Sequence, residues 1–370
     1  MLIGIDFREA LGNRAGKGYY AYHLTSEIIK HDRENQYILY TSKNTSEFEK
    51  YKNVAVKVIT KKSLLWHLAV LKNLYKEDVN VFFSPTSYII PAWHDPLKLR
   101  VVMTVHDLVA FLFPENHNKK AMFAERIFLK KALNRVIHIF AVSLNTKRDL
   151  ITQFFIPNEL VSVVHNAASE NFKVIPKEEL KDFAQENNLP KKYIFAAGTL
   201  EPRKNFSMLI RSFAQVAKEF PEYKLLIAGA KGWYYDEIFE TVSYLKLEEK
   251  VKFLGYVTSE ELEKLYNLAE IFVYPSVYEG FGIPPLEAMK CGCPVITSNT
   301  SSLPEVVGDA AIKINPKKEK ELTERIIELL KDENLRSELK KKGFEQAQKF
   351  SWEKSAKEVI GFFNKLDEKI

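Results

Sequence analysis

The residues best suited to chemistry fall in four short stretches, each just after an apolar run. The richest runs from Tyr274 to Met289. There an apolar run ends, the loop Gly280-Phe281-Gly282 follows, and Ile283-Pro284-Pro285 introduces a helix over 285–290, because the fixed φ of proline suits a first helical turn. Loop amides and a helix N-terminus together make an anion site. Glu279 precedes the loop and Glu287 sits in the first helical turn, eight positions later. The two carboxylates can therefore face one ligand, one accepting sugar hydroxyls and the other a ribose diol. A glutamate near a helix N-terminus is also favoured by the dipole alone, and Glu287 taken singly fits that reading as well.

The second stretch is Gly198 to Asn205, with Arg203-Lys204 directly before a helix. Arginine can clamp two oxygens through its planar fork and lysine adds a point charge, so the pair suits a diphosphate. Asn205 stands where it could cap the helix that follows. The third is Thr104-Val105-His106-Asp107-Leu108, a His-Asp pair leaving an apolar strand. A neutral imidazole can accept or donate near pH 7; the competing reading is a His106 simply satisfied within the sheet. The fourth is Gly12 to Gly18, with Gly16 and Gly18 flanking Lys17. Glycines at such a turn let backbone N–H groups approach a phosphate. The full GxGxxG and its acidic ribose ligand are missing, so a plain flexible loop reads equally well.

Positioning these stretches needs strands that end where they begin. Apolar runs at Leu2–Asp6, Tyr37–Thr41, Val54–Ile59, Val79–Ser84, Val101–His106, Ile137–Ser143 and Val161–His165 alternate with helical stretches at Tyr19–His31, Leu64–Tyr75 and Lys119–Asn134. Near-continuous apolar strands are those of a parallel sheet covered on both faces, and the alternation implies a doubly wound α/β domain. The pattern restarts with strands at Tyr193–Ala197, Lys224–Ala228, Val251–Leu254, Ile271–Tyr274, Pro294–Thr297 and Ala311–Ile314, and helices at Phe206–Glu219, Ser259–Leu268 and Pro285–Lys290. The expectation is two Rossmann-like domains facing across a cleft, 1–172 and 173–350, with Phe172–Pro190 as the linker. A charged helical tail ends in an amphipathic helix over 351–370, capped by Ser351, that packs back on the first domain. Ligands in such sheets bind beyond the carboxyl ends of the strands, where all four stretches lie.

Composition narrows the classes. At 46% hydrophobic and 28% charged residues, with no low-complexity tract, disorder and collagen-like structure are excluded. No apolar run is long enough to span a membrane, and Met1 to Asp6 carries no basic leader, so a cytoplasmic protein is expected. Cys291 and Cys293 are one residue apart and lack the spacing of a redox or zinc motif; small residues packed before a strand explain them. No Asp-x-Asp is present, the pair that often holds Mg²⁺ on a diphosphate, so no metal and no cofactor are expected. Residues 1–170 hold 23 Lys/Arg against 16 Asp/Glu, whereas residues 171–370 hold 31 against 32. The basic first half fits an anionic partner, a membrane surface or an anionic acceptor; an ordinary solvated surface fits as well. Lys61-Lys62-Ser63-Leu64-Leu65-Trp66-His67-Leu68 and Lys119–Arg135 interleave basic and apolar residues, as interfacial helices do.

These stretches resemble the retaining glycosyltransferases of family 4, which have the GT-B fold. The resemblance is carried by Glu279 and Glu287 around Gly280-Phe281-Gly282, by Gly198 to Asn205, and by Glu287-Ala288-Met289 through Cys291-Gly292-Cys293-Pro294-Val295-Ile296. Thr104 to Leu108, Val142-Ser143, Thr146-Lys147 and Asp149-Leu150 extend it into the first half. It implies that Arg203 and Lys204 hold the donor diphosphate and that Glu279 binds the transferred sugar, with main-chain contacts from Gly280, Phe281 and Gly282. It also implies that Glu287, in the helix after Ile283, binds the ribose. By the same resemblance Gly198 belongs to the donor loop, Gly255-Tyr256-Val257 contacts the nucleobase, His106 lines the reaction centre, and Gly16 and Gly18 sit by the phosphates or the acceptor. Lys17 between those glycines, and His165-Asn166-Ala167 where relatives carry Asn-Gly, depart from the pattern.

The resulting expectation is a retaining, metal-independent hexosyltransferase moving mannose from GDP-mannose onto a glycan or lipid-linked acceptor, in cell-surface polysaccharide or lipopolysaccharide synthesis. The expected placement is cytoplasmic, with peripheral contact at the inner face of the membrane left open. The GDP-mannose preference rests on the resemblance of Ile3 to Asp6, Gly16 to Tyr19 and Thr104 to Leu108 to such members; UDP-sugar users share the same motifs. A sugar-nucleotide epimerase of the same fold, and a non-catalytic nucleotide-sugar binder, are the rival readings. Nucleic acid is not expected as a partner, since no recognition motif accompanies the charge.

Overall fold

The computed structural model describes residues 1–12, 16–114 and 119–368. Asn13, Arg14 and Ala15 of the first glycine loop and the side chains of Lys119 and Lys120 lie outside the described residues. The chain forms two compact units, Met1–Asn166 with Ser351–Ile370, and Ala167–Phe350.

In the first unit the elements run β1 (Leu2–Asp6), α1 (Lys17–His31), β2 (Gln36–Thr41), β3 (Val54–Val58), α2 (Ser63–Lys76), β4 (Val81–Ser84), α3 (Ile89–Trp93) and β5 (Arg100–Val105). They continue with α4 (Val109–Leu112), α5 (Lys119–Leu133), β6 (His138–Ala141), α6 (Leu144–Phe154) and β7 (Val161–Val163). The strands form one parallel sheet, ordered β3-β2-β1-β4-β5-β6-β7. Successive strand residues face opposite sides, and the packing follows that period. Phe82 and Val101 join a core under α2, with Trp66, Val70 and Leu74, while Met103, Val105 and Ile139 join another with Leu129 and Ala132 of α5. Gly4 lets α2 come close: a Cβ there would meet Leu74 Cδ2 at 2.8 Å. The alternate residues Phe83, His138 and Phe140 point the other way, onto rings from the end of the chain, Phe363 and Phe362.

The second unit holds α7 (Lys181–Glu186), β8 (Tyr193–Ala197), α8 (Phe206–Glu219), β9 (Lys224–Ala228), α9 (Asp236–Tyr244), β10 (Val251–Gly255), α10 (Ser259–Leu268) and β11 (Ile271–Tyr274). Then come α11 (Ile283–Lys290), β12 (Val295–Ser298), α12 (Leu303–Val307), β13 (Ala311–Ile314), α13 (Glu319–Lys331) and α14 (Glu333–Ala347). Its parallel sheet is ordered β10-β9-β8-β11-β12-β13. Ile194 and Ala196 face a core built with Leu209, Phe213, Ile326 and Leu329. The alternate Phe195 packs on Tyr266 and Phe272. The last helix, α15 (Trp352–Asp367), belongs to the first unit. Ser351 caps it by accepting from the Lys354 N–H at 3.2 Å. It lies along α1 through a stack of His23 on Trp352, and its Phe362 and Phe363 cover rings of β4 and β6.

Three expectations change. The division falls at Asn166–Ala167 rather than at 172. The stretch read as a linker is docked on α10: Phe172 is buried against the Tyr266 ring, and the N–H groups of Lys173 and Ile175 donate to Glu263 (3.2 Å) and Asn267 (2.8 Å). The helix α11 starts at Ile283, so Glu287 lies beyond its first turn. The helices α3, α4, α6, α7, α9 and α12 were not read from the sequence.

Candidate active site

Everything at this site begins at the carboxyl ends of β8 and β11. After β8 the chain passes Gly198, at φ 147°, a backbone conformation side chains rarely adopt, with the Lys204 side chain packed beside it. Pro202–Lys204 then make one 3-10 turn and α8 begins. Asn205 occupies the left-handed region at φ 61°, and its side chain does not cap α8 as expected. Its amide instead donates to the carbonyls of Pro275 (3.2 Å) and Pro316 (2.8 Å). The Val277 N–H and Ser276 hydroxyl bond back to the Arg203 carbonyl at 2.9 and 3.1 Å. The two loops are therefore stitched together by uncharged hydrogen bonds to backbone carbonyls before any charge is considered.

The charges meet at Glu279. Its Oε2 pairs with Arg203 at 2.7 Å and its Oε1 with Lys204 at 2.6 Å. Oε1 also accepts from Tyr274 (2.8 Å) and Ser276 (2.6 Å). Arg203 is braced by the Tyr278 carbonyl at 2.6 Å and by buried Glu201. Lys204 donates to the Tyr274 hydroxyl at 2.6 Å. Burial pushes the Glu279 carboxyl up, but Arg203 and then Lys204 outweigh it and bring the carboxyl down to about 2. Burial lowers the Lys204 ammonium, against the pull of Glu279. A carboxylate gripped by two fixed cations in a dry setting is an anion site already assembled.

The loop beyond Glu279 is held from the next strand. Ser301 accepts from the Glu279 N–H at 3.0 Å, and the Ser302 hydroxyl reaches the carbonyls of Glu279 (2.9 Å) and Phe281 (2.6 Å). Gly280 and Phe281 are buried, Ile283 half-buried, and Gly282, at φ 106°, caps α11 where a Cβ would meet Leu303 at 2.7 Å. Glu287 is buried and accepts from Tyr266 at 3.2 Å. Burial raises its carboxyl to about 7, the Tyr266 bond opposing. Tyr256 and Val257, after β10, line a cavity of about 250 Å³ with Phe183, Glu261 and Leu265; the Tyr256 ring is largely exposed.

In the first unit His106 follows β5 and is buried. Its Nε2 lies 2.8 Å from the Pro85 carbonyl, which can only accept, so Nε2 carries the proton and Nδ1 the lone pair. Burial, then Lys17, lowers the ring to about 4, so it is neutral at pH 7. Asp107 does not pair with it; its Oδ1 accepts from the Val109 N–H at 3.0 Å. Gly16, at φ 53°, caps α1 and Gly18 is buried in its first turn. Lys17 between them lines a cavity of about 310 Å³ with Arg8, Glu9, Tyr88, Glu125 and Phe128.

The sequence missed Glu201, Ser301 and Ser302. Glu201 lies inside the Arg-Lys stretch, and the run Thr300-Ser301-Ser302 follows β12, a neighbour of β11. The rule that ligands meet strand ends pointed to both.

Comparison with known proteins places the chain in a family. A family model described as "Glycosyl transferases group 1" matches residues 177–346, and one described as "Glycosyltransferase Family 4" matches residues 16–171. The O-antigen chain mannosyltransferase B of Escherichia coli is 35% identical over 279 residues, 75% of this chain and 73% of that one. The chain belongs to the family 4 glycosyltransferases. A second relative of this glycosyltransferase, the serotype-specific mannosyltransferase WbdA of Escherichia coli, is 32% identical over 76% of this chain but only 35% of its own length. Among solved structures, HepE of Anabaena in complex with UDP and glucose superposes with a TM-score of 0.78 at 18% identity, covering 98% of this chain and 99% of that one. The two doubly wound parallel sheets are those of the GT-B fold. No helix among the described residues is long and apolar enough to cross a membrane.

Proposed function

We propose that this glycosyltransferase moves mannose from GDP-mannose, with retention of anomeric configuration, onto a glycan carried on a lipid at the inner face of the membrane. The observation that carries the reading is the buried grip of Arg203 and Lys204 on Glu279, beside a glycine loop that opens α11. A donor diphosphate would take the guanidinium and ammonium as its own partners, leaving Glu279 to accept sugar hydroxyls. Glu287 would accept the ribose diol, and its raised pKa makes nucleotide binding release a proton near neutral pH.

Charge develops on the departing phosphate oxygens, and preorganised cations there lower the barrier. Fixed side chains would do this work without a divalent ion. No second carboxylate is offered as a covalent nucleophile in this reading. The acceptor hydroxyl would attack from the face the diphosphate leaves, giving its proton to a leaving phosphate oxygen. His106, neutral and aimed by Pro85, would line the sugar. The mannosyl donor is supported by relatives named O-antigen chain mannosyltransferase B and serotype-specific mannosyltransferase WbdA. A UDP-sugar donor is the second reading, supported by the UDP and glucose held by a protein of the same fold.

The test is a panel of GDP-, UDP- and ADP-sugars scored for slow donor hydrolysis and for thermal stabilisation, about 2.7 kcal/mol at 100 times Kd, followed by assay with a chelator and assignment of the product anomer. GDP-mannose turnover with a retained anomer and no chelator effect is expected. An inverted product removes the mechanism, and a response to UDP-sugars alone removes the donor.

A further inference from the structure

The helix α2 buries one face in the core and leaves a second apolar face exposed among the described residues. Trp66, His67, Val70 and Leu74 point inward. Leu64, Leu65 and Leu68 point outward, Leu65 with 63% of its surface exposed. Tyr75 continues the stripe one face-width along the helix, and its hydroxyl accepts from the Asp95 N–H at 2.8 Å. That bond ties the stripe to the 95–98 turn, where Leu97 is 95% exposed. At 100° per residue, Leu64, Leu65, Leu68, Lys72, Tyr75 and Lys76 fall within about one third of the helix circumference. A helix facing only water would carry polar residues there.

Charge selects the occupant. Residues 51–76 contain six lysines and no Asp or Glu. Of these, Lys61, Lys62, Lys72 and Lys76 are exposed around the leucines. The acids nearest in sequence are engaged or outside the stripe: Glu77 pairs with Lys57, Asp95 lies 4.0 Å from Lys98, and Asp78 follows the helix end. A second copy of the chain would bring lysines against lysines across a two-fold axis. An anionic lipid surface instead takes leucines into its acyl boundary while lysine stems carry their charges to the headgroups.

We propose that this face of α2, extended by Leu97, docks the enzyme on anionic lipid. The proposal rests on the reading that the acceptor is membrane-borne. It gives the basic excess of the first half a location. Phe123 and Ile127 of α5 are also exposed, but α5 carries Glu125 among its lysines, so it serves as the control surface.

The experiment is co-sedimentation of the full chain with vesicles of phosphatidylglycerol and phosphatidylethanolamine, and with vesicles of phosphatidylcholine. Binding to the anionic vesicles alone is expected, weakening with salt. The triple change Lys61→Gln, Lys62→Gln, Lys72→Gln should weaken partitioning about 10²-fold, and Leu65→Ser with Leu68→Ser about 10-fold or more. Lys130→Gln with Lys131→Gln should bind as wild type. Equal binding to neutral vesicles, undiminished binding of the α2 variants, or loss on the α5 change instead overturns the proposal. So does a doubled solution mass that the serine variants abolish. Donor hydrolysis without lipid separates the two readings. Turnover with no vesicle binding ends the docking proposal alone, and vesicle binding with no turnover of any sugar nucleotide ends the transferase reading alone.

Discussion

Beyond β8 and β11, two cations and two carboxylates, Arg203, Lys204, Glu201 and Glu279, are locked into one buried network. Beyond β5, in the other unit, a single imidazole is buried neutral against a carbonyl. Both sites sit at the carboxyl ends of parallel sheets, where side chains leave a rigid frame. They differ in what burial does. At Glu279 it is outweighed by Arg203 and Lys204, so the carboxylate persists; at His106 the charge of Asp107, bonded to the Val109 N–H instead, does not offset it, and burial removes the charge. The lesson is that one kind of scaffold supplies fixed charge in one place and a neutral hydrogen-bonding group in another, according to whether a counter-ion is buried alongside.

The sharpest way to break that contrast is to remove the counter-ion. Glu279→Ala leaves Arg203 with Glu201 alone and strips Lys204 of its carboxylate, and should cost about 3–5 kcal/mol of stability, read from urea unfolding. A loss under 1 kcal/mol would mean the pairs are effectively solvated. Next in size, Arg203→Ala or Lys204→Ala should lower kcat about 10²–10³-fold, as for other preorganised donors; near-wild-type rates in both would place the leaving-group chemistry elsewhere.

Titration sharpens the same comparison. The Glu287 carboxyl is raised from its ordinary 4.5 to about 7 in the folded chain. Its stabilising contribution is therefore complete below about pH 4.5 and lost as pH rises through 7. The difference in unfolding free energy between wild type and Glu287→Gln should shift by about 3 kcal/mol across that window. Glu279 runs the opposite way: its contribution is present above about pH 4.5 and lost as pH falls toward 2. A flat difference would show that Glu287 is ionised throughout.

Smaller effects test the frame. Asn205→Ala removes the donor to two carbonyls, Pro275 and Pro316, and should cost about 1–2 kcal/mol. His106→Ala should slow transfer about 10-fold, the worth of one neutral hydrogen bond. The wild-type rate profile should show no His106 inflection between pH 5 and 8. An inflection near pH 6.5 that vanishes in His106→Ala would mean the ring is charged during turnover, and the contrast between the two sites would fail.

Several strands could be read directly. Tyr193–Ala197 and Ile271–Tyr274 are apolar throughout, and the structure keeps their bounds, as it does those of Lys224–Ala228 and Ala311–Ile314. The helix Phe206–Glu219 also keeps its bounds, because its apolar residues repeat at helical spacing. The docked stretch after Phe172 could not be read, since its partners Glu263 and Asn267 lie about ninety residues away. The role of Asn205 was hidden for the same reason: cap or brace depends on carbonyls supplied by Pro275 and Pro316.

Residue types and their local spacing determined the two doubly wound halves, the glycine turns at strand ends, and the presence of Arg203, Lys204, Glu279 and Glu287 near helix starts. Local sequence sets propensity, period and turn chemistry, and these are short-range quantities. Only the tertiary structure decided that Glu279 is ionised, that Glu287 is raised toward neutrality, and that His106 is neutral. Those states depend on burial and on charges brought from distant parts of the chain, and both arise only when each unit packs around its own sheet.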